Sequence, residues 1–258
     1  MKTVPVLSEV AQAWIDPVYV RMRISPRPAD RHYLVLRDLR DYVGRFATAA
    51  ALRVLDYGAG PSPYRSLFPG ADYVRADYLP APDITVQVEM DGTLPLPAEQ
   101  FDIVLSTQVA EHLPRPAHYF REAWRVLKPG GCLIVTTHGI WPDHGTPYDF
   151  QRWTAAGLAR DIAAAGFSAV RTTKLTCGFR AYLFLGLEAW SSIQSSRTLP
   201  RRAASALAQW LLAKLRPALG RWADRHWSAL AVVDLNGNDS AGPDLYILVA
   251  AAAIKAAG

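Results

Sequence analysis

A chain of 258 residues, half of them hydrophobic and a fifth charged, is long enough for one well-cored α/β domain with additions, and this composition excludes a disordered polymer. The formal net charge of +5 is too mild to indicate nucleic acid, because a nucleic-acid-binding protein concentrates Lys and Arg on one face. The only cysteines, Cys132 and Cys177, lie in apolar runs, which excludes a disulfide framework and a cysteine-based metal site.

No segment of the sequence has the length of a membrane span. The longest apolar stretch, residues 181–189, is bounded by Arg180 and interrupted by Glu188, whereas a span needs about 20 apolar residues. The first residues, Met1 to Pro5, are not followed by the apolar run of a secretory signal. We therefore expect a cytoplasmic protein.

Residues 1–50 are predicted to form an N-terminal helical cap. Apolar side chains recur at steps of three and four residues between Tyr33 and Phe46, and charged side chains take the other positions. This pattern is typical of an amphipathic helix that packs on a core. Trp14, Tyr19 and Met22, which come before it, either form the edge of a binding cleft or only cover the sheet.

Short apolar runs alternate with helical segments over residues 51–176, the predicted core. The predicted strands are Arg53–Tyr57, Tyr73–Asp77, Ile84–Val88, Phe101–Ser106, Cys132–Thr137 and Ala169–Thr176. The predicted helices are Tyr64–Phe68, Pro116–Leu127 and Thr154–Ala165, with Lys128 to Gly131 ending the second. This alternation indicates a parallel sheet with helices on both faces, whose ligands bind at the carboxyl ends of the strands.

An insertion over residues 177–240 separates this core from residues 241–258, where the last strand is predicted at Leu245–Ile254. It is longer than an ordinary connection, and its apolar stripes predict helices that are rich in arginine and tryptophan. Four interpretations of these helices remain open. They cover the substrate, make a peripheral membrane contact through residues 179–230, form a homodimer interface, or pack on the sheet.

Residues 52–63 combine a buried strand with a glycine-rich turn, Gly58-Ala59-Gly60. Alternate glycines let a ligand approach the backbone closely. Asp56 makes the start of the turn acidic, which suits a ligand with an ammonium group better than a phosphate. Asp77 ends the next predicted strand, where a carboxylate accepts both hydroxyls of a ribose. These features predict an adenosine-containing cofactor.

Six motifs follow one another in the order and at the separations of a known family. They are Val54–Gly60 (VLDYGAG), Ala76–Tyr78 (ADY), Asp91–Leu96 (DGTLPL), Phe101–Ser106 (FDIVLS), Glu111–Leu113 (EHL) and Arg125–Gly131 (RVLKPGG). From Arg53 to Val170 the chain resembles the class I S-adenosylmethionine-dependent methyltransferases, in particular their small-molecule group. The resemblance implies an α/β, Rossmann-like fold with a seven-stranded, mostly parallel sheet and an antiparallel last hairpin. Helices lie on both faces, with the N-terminal helices and the helical insertion added.

The resemblance also implies S-adenosylmethionine as the cofactor. The turn Gly58-Ala59-Gly60 would line its methionine part, with Asp56 directed at the amino group and Gln108 near the same end. Ser62 departs from the fullest family motif, which has a third glycine there, so the local shape of the turn is open.

On the adenosine side, the resemblance assigns Asp77 to the ribose hydroxyls and Tyr78 to a face of the adenine. Asp91 would face the adenine amino group together with the N–H of Gly92. A purely structural alternative stays open for the acidic residues, because Asp56 and Asp91 also suit turns and helix caps.

Transfer of a methyl group needs a positioned nucleophile and, for a weakly acidic hydroxyl, a general base. His112, from the EHL motif, is one candidate base, and its alternative is a structural role. His144 or Asp143, in the loop after the fifth strand, is another candidate. No metal ligand set is predicted.

We therefore predict a methyltransferase that acts on an O- or N-nucleophile of a small molecule, such as a secondary metabolite or a glycan or lipid precursor. One alternative is a same-fold enzyme that uses the cofactor for aminocarboxypropyl transfer or cyclisation. A more distant one is an NAD-dependent oxidoreductase, which Pro63 disfavours because a dinucleotide fingerprint has a small residue there. The last alternative is a non-catalytic binding module.

Overall fold

The computed structural model describes residues 16–81, 83–144, 148–191, 199–233 and 244–257. Trp14, one of the residues predicted near the cleft, lies outside these ranges. Within them, no helix has both the length and the apolar character that crossing a bilayer requires.

The described strands form one mixed sheet in the order β3-β2-β1-β4-β5-β8-β6-β7. Their bounds are β1 Arg53–Tyr57, β2 Asp72–Asp77, β3 Val86–Gln87, β4 Phe101–Thr107, β5 Leu127–His138, β6 Ser168–Cys177, β7 Leu230–Val233 and β8 Tyr246–Ile254. Strands β1 to β5 run parallel to one another, and β8 runs antiparallel to both β5 and β6. The predicted α/β, Rossmann-like class is confirmed.

The prediction of seven strands was wrong by one, because the described residues contain eight. The additional strand, β7, lies inside the segment predicted as a helical insertion. It pairs antiparallel with β6, from Thr172 opposite Val233 to Leu175 opposite Leu230. The helical pattern stops at Trp227, and the apolar run Leu-Ala-Val-Val that follows is short enough to add to the free edge of β6.

Six helices are described, α1 Pro17–Ile24, α2 Tyr33–Gly44, α3 Pro116–Val126, α4 Ala155–Ala164, α5 Phe179–Ser191 and α6 Leu199–His226. The apolar stripe predicted for α2 is buried, including Leu39 and Val43. Thr154 caps α4, since its hydroxyl accepts a hydrogen bond from the N–H of Gly157.

Two local predictions differ from the structure. The helix predicted at Tyr64–Phe68 is one 3₁₀ turn, Arg65–Leu67. Helix α3 ends at Val126, as its glycine-rich stop suggested, but β5 begins directly at Leu127 and includes the two glycines. Gly130 donates to the carbonyl of Lys255 near the end of β8, so the sheet takes up a segment that resembles a turn in sequence.

Helices cover both faces of the sheet. One core cluster joins α3 and α4 to the sheet, including Phe120 and Leu158, and the other joins α2, α5 and α6, including Leu39 and Phe184. The chain leaves β1 toward β2 and later returns to β4 on the other side of β1. Strand order therefore reverses between β1 and β4, and a crevice opens at their carboxyl ends. The division into cap, core and insertion stays a prediction.

Candidate active site

The turn after β1 is fixed against its two neighbouring strands. The N–H groups of Gly58 and Ala59 both donate to the carbonyl of Ala76 in β2, at 2.8 and 3.0 Å. Gly58 has φ +82°, and a Cβ added there would lie 2.4 Å from Cγ2 of Val109. A side chain at this position would therefore be strained and crowded, and glycine keeps the backbone open to the crevice.

Asp77 connects this turn to the end of β2. Its Oδ2 accepts from the N–H of Gly60 at 2.8 Å, and its Oδ1 accepts from the N–H of Leu79 at 2.9 Å. Burial raises the pKa of Asp77, although these backbone donors oppose the shift. A carboxylate has about four lone-pair directions, so Asp77 keeps acceptor capacity for two ligand hydroxyls.

Ser62, the departure from the family motif, has its own support. It lies at φ +49°, in the left-handed region that glycine adopts readily. The buried guanidinium of Arg75 donates to Oγ of Ser62 at 2.7 Å and to the carbonyl of Gly60 at 2.6 Å. A glycine at this position would adopt the left-handed conformation without strain. With serine in its place, the two hydrogen bonds from Arg75 stabilise that conformation.

Asp56 does not line the crevice, in contrast to its predicted orientation. It is buried, its Oδ2 accepts from the hydroxyl of Tyr73 at 2.8 Å, and burial raises its pKa to about 7. Successive side chains of a strand point to opposite faces, so Tyr57 faces the crevice instead. The Tyr57 ring stacks on Tyr119, with ring centroids 3.9 Å apart.

Asp91 and Gly92 also lie off the crevice. Asp91 accepts from the N–H and hydroxyl of Thr93, at 2.9 and 2.8 Å, and forms an ion pair with Arg115. This is the turn role that the sequence left open. From the same loop, Glu89 and Met90 reach the crevice instead.

The crevice holds a cavity of about 650 Å³, which is within the range of small-molecule sites. Of the predicted cofactor residues, its lining includes Gly58, Ala59, Gly60, Asp77, Tyr78 and Gln108. Of the predicted catalytic residues, it includes His112 and His144, whereas Asp143 is exposed on the loop outside. The structure therefore brings most of the predicted site together.

Gln108 has an unpaired buried atom at the wall of this cavity. Its N–H donates to the carbonyl of Thr136 at 2.9 Å, and its Nε2 donates to Oγ1 of Thr136 at 3.1 Å. Its Oε1 is buried and has no hydrogen-bond partner among the described residues. An unpaired acceptor of this kind suits a ligand that brings an N–H donor, such as an ammonium group.

Helix α1 contributes Tyr19 and Arg23 to the lining of the cavity. Tyr19 was one of the residues expected at the edge of the cleft, whereas the sequence did not single out Arg23. The guanidinium of Arg23 lies over the Tyr19 ring, 4.8 Å from its centroid. Nε of Arg23 is buried and unpaired within the described part of the chain. The only sequence signal was an arginine on a short helix before the first strand.

Three histidines form the other end of the cavity. The rings of His112 and His144 are 5.0 Å apart and those of His138 and His144 are 4.8 Å apart, measured between centroids. Nδ1 of His112 lies 2.5 Å from the carbonyl oxygen of Tyr148. Burial, with the neighbouring cations acting in the same direction, lowers the pKa of His138 to about 2. His138 is therefore a neutral imidazole at working pH, although the sequence did not place it among the predicted site residues.

The cavity fits S-adenosylmethionine on several grounds. It has the size of a nucleoside site, a glycine turn that no side chain obstructs, and a buried carboxylate, Asp77, at the end of β2. The unpaired acceptor of Gln108 and the unpaired donor of Arg23 match an amino-acid group, which carries one ammonium and one carboxylate.

The fold and this crevice are those of a Rossmann-like domain, a class in which ligands bind at the switch point of the sheet. Residues 55–135 match a family model described as "Methyltransferase domain". A Mycolicibacterium smegmatis protein described as "Probable S-adenosylmethionine-dependent methyltransferase" is 30% identical over 174 residues, 64% of this chain and 63% of that protein. The 2-methyl-6-phytyl-1,4-hydroquinone methyltransferase of Synechocystis is 36% identical over 78 residues, 30% of this chain and 24% of that enzyme.

Among solved structures, phosphoethanolamine N-methyltransferase 2 of Haemonchus contortus with S-adenosyl-L-methionine is similar in fold. Its TM-score is 0.55 at 17% identity, and the match covers 99% of this chain and 58% of that one. The chain is therefore similar, over residues 55–135, to a methyltransferase-domain family, and the Mycolicibacterium smegmatis relative is described as dependent on S-adenosylmethionine. The chain spans 63% and 24% of the lengths of the two relatives named above.

Proposed function

We propose that this protein transfers a methyl group from S-adenosylmethionine to an oxygen or nitrogen of a small molecule. The observation that carries the proposal is one cavity that contains Asp77 at its nucleoside end and His112 and His144 at the other. The family's cofactor and an acceptor would then lie side by side along the crevice.

At the nucleoside end, Asp77 accepts hydrogen bonds from the ribose hydroxyls through the lone pairs that Gly60 and Leu79 leave free. Tyr78 flanks the adenine. The adenine edge contacts the Glu89 and Met90 part of the loop rather than Asp91, because only the former reach the cavity.

At the amino-acid end, the glycine turn lies along the methionine chain. Gln108 accepts a hydrogen bond from the ammonium through its unpaired Oε1, and Arg23 donates to the carboxylate. Asp56 acts indirectly, since it supports the turn from the opposite face of β1.

The bound cofactor supplies an electrophilic methyl group on a sulfonium. The protein positions the acceptor and accepts its proton where the nucleophile is weakly acidic. A carbonyl oxygen can only accept a hydrogen bond, so the contact with Tyr148 assigns the ring proton of His112 to Nδ1. Nε2 of His112 then has a free lone pair. His144 is the second candidate, and Asp143 is the weaker one because it lies outside the cavity lining.

A product assay tests the proposal. The chain is incubated with methyl-labelled S-adenosylmethionine and a panel of small O- and N-nucleophiles, and both halves of the product pair are identified. We expect S-adenosylhomocysteine together with a labelled small molecule. His118→Ala is a suitable control because His118 contacts Thr93 and does not line the cavity. Methylthioadenosine as the co-product would support aminocarboxypropyl chemistry instead and would contradict the proposal.

A further inference from the structure

Glu111, His138 and His144 converge at the histidine end of the cavity. One oxygen or nitrogen atom from each side chain lies within 4.8 Å of the corresponding atoms of the other two. The Glu111 carboxyl group is fully buried, His138 is buried, and His144 is partly exposed. Both histidines line the cavity, so a ligand bound to all three residues would be part of its wall.

The three side chains share an unusual feature, since each has a buried polar atom without a hydrogen-bond partner in the described part of the chain. These atoms are Oε1 of Glu111, Nδ1 of His138 and Nδ1 of His144. The other oxygen of Glu111 accepts from the Thr137 hydroxyl at 2.8 Å. An unpaired polar atom in a protein interior is costly, and three in one cluster indicate a common partner.

The distance between two of these atoms indicates what the partner is. Oε1 of Glu111 and Nδ1 of His138 are 3.1 Å apart but are not aligned for a hydrogen bond. Two ligands that bind one ion at about 2.1 Å lie about 3.0–3.4 Å from each other when they are cis. The pair therefore has the spacing of neighbouring ligands on one metal ion.

We propose that Glu111, His138 and His144 bind one divalent transition-metal ion of the Zn²⁺ type. Two imidazoles and one carboxylate are a typical ligand set for such ions, whereas Mg²⁺ prefers oxygen ligands throughout. Two ligands of a tetrahedral ion with bonds of about 2.1 Å lie about 3.4 Å apart, so the longest separation in the cluster, up to 4.8 Å, must shorten by about 1.4 Å when the ion binds. His144 is the one ligand of the three that lies outside a helix or strand, so we assign this movement to it.

The surroundings of the cluster orient these side chains. The His138 ring stacks on Trp141, with centroids 4.7 Å apart. Oδ2 of Asp149 accepts from the N–H of His144 at 2.9 Å and lies 3.2 Å from its Nδ1. The nearby cation Arg152 is paired with both oxygens of Asp149, at 2.5 and 2.6 Å, which offsets its repulsion of a bound ion.

Three protein ligands leave an open coordination position, and the two histidines direct it toward the cavity. An oxygen or nitrogen of the acceptor would bind there, and the ion would lower its pKa. This second role rests on the proposed function and leaves His112, rather than the metal-bound His144, as the candidate base, whereas binding of the ion does not depend on the proposed function.

Metal titration of the full chain tests the site. The untagged protein is stripped with a chelator and titrated with Zn²⁺, Co²⁺ and Mg²⁺ in calorimetry, without cofactor or acceptor. We expect one equivalent of Zn²⁺ at an affinity at least about 100-fold above that for Mg²⁺. Co²⁺ should give the intense visible absorption of a four- or five-coordinate nitrogen and oxygen site.

Ligand variants decide the outcome. Glu111→Gln, His138→Ala and His144→Ala should each weaken Zn²⁺ binding at least about tenfold and lose the cobalt spectrum. His144 is partly exposed, so its variant should fold even if Glu111→Gln does not. His118→Ala should bind Zn²⁺ as tightly as the parent protein does, because His118 contacts Thr93 and is not part of the cluster. Binding of Zn²⁺ no tighter than Mg²⁺, or equal affinity of the parent and His144→Ala, would overturn the proposal and leave the methyltransferase assignment intact.

Discussion

At the scale of single residues, Asp77 shows which features of the site can be predicted from the sequence and which cannot. Its position at the end of the second strand was predictable from the apolar pattern and the spacing after the glycine turn. The sequence did not predict that its two oxygens already accept from Gly60 and Leu79. Nor did it separate Asp77 from Asp56 and Asp91, because the face of a strand or turn on which a carboxylate lies depends on the tertiary structure.

We predict that Asp77→Asn weakens S-adenosylhomocysteine binding by roughly 10–100-fold. The amide removes the charge that strengthens hydrogen bonds to the ribose, which is worth about 1.5–3 kcal/mol. Calorimetry measures the affinity. Asp91→Asn is the matched control, and it should change the affinity by less than about twofold, because Asp91 does not line the cavity. Equal losses in both variants would contradict this assignment of the nucleoside end.

We predict that Gly58→Ala lowers the free energy of unfolding by about 2–4 kcal/mol, because the new Cβ meets Val109 at a positive φ. Urea unfolding gives the value. In a Val109→Ala background, the cost should fall to about 1–2 kcal/mol, since the backbone strain remains while most of the clash is removed. If the loss of stability were the same in both backgrounds, a clash with the Val109 side chain could not be its cause.

At the scale of elements, one buried arginine joins α2, α5 and α6. Arg180 is 1% exposed and pairs with Asp38 of α2 at 2.5 Å and with Asp224 of α6 at 3.0 Å. Thr176, at the end of β6, also donates to Asp38. In the sequence, Arg180 only marked the boundary of an apolar stretch. Its pairing could not be predicted, since its partners are 142 and 44 residues away.

We predict that Arg180→Ala lowers the free energy of unfolding by about 3–5 kcal/mol, because Asp38 is left buried without its cation. Burial already raises the pKa of Asp38 to about 7 in the presence of Arg180. Urea unfolding of the single and double variants measures the coupling. Asp38→Ala combined with Arg180→Ala should cost less than the sum of the two single changes, and strict additivity would count against the pair.

A second contact between elements predicts that the free energy of unfolding depends on pH. Glu188 of α5 pairs with Arg31 at 2.8 Å and lies 3.6 Å from His32. Burial acts to raise the pKa of Glu188, but hydrogen bonds from His32 and Arg31 outweigh it and lower the pKa from 4.5 to about 2. Because the folded pKa is depressed, this contribution to stability is present above about pH 4.5 and is lost as the pH falls toward 2.

Glu188→Gln should therefore be less stable than the parent at about pH 6, and the difference should shrink at about pH 4 and further at about pH 3. Urea unfolding at each pH provides the comparison. Asp72→Asn is a suitable control, because Asp72 pairs with Arg53 at the surface and its side chain is 68% exposed. A difference between Glu188→Gln and the parent that stays constant with pH would contradict the depressed pKa.

At the scale of the whole molecule, the cofactor half was far more predictable than the acceptor half. The strands, the glycine turn and Asp77 follow from short-range patterns within residues 53–77, most of which lie in the part of the chain that matches the methyltransferase-domain model. The cluster of Glu111, His138 and His144 joins the turn after β4, the end of β5 and the following loop, so its members meet only in the folded chain. Strand β7 was missed for a similar reason, since four apolar residues become a strand only beside β6.

The insertion presents apolar side chains to solvent, including Tyr182, Trp210 and Trp222, at exposures of 64%, 57% and 43%. Trp222 also contacts Trp227 edge-on, with ring centroids 4.1 Å apart, and Trp227 stacks on Phe179 at 4.3 Å. Packing on the fold therefore accounts for some of these aromatic side chains and not for others. Contact with a membrane surface, or with a second copy of the chain, through residues 179–230 stays a prediction.

Calorimetric titration of the full chain with S-adenosylhomocysteine, and separately with NAD, measures which of the two cofactors the crevice binds. The geometry of Asp77, Gln108 and the glycine turn predicts one site per chain with a Kd of about 1–100 μM for S-adenosylhomocysteine, and no measurable binding of NAD. Folded protein that gives no heat with S-adenosylhomocysteine, or that binds NAD more tightly, would contradict the assignment of this crevice to S-adenosylmethionine.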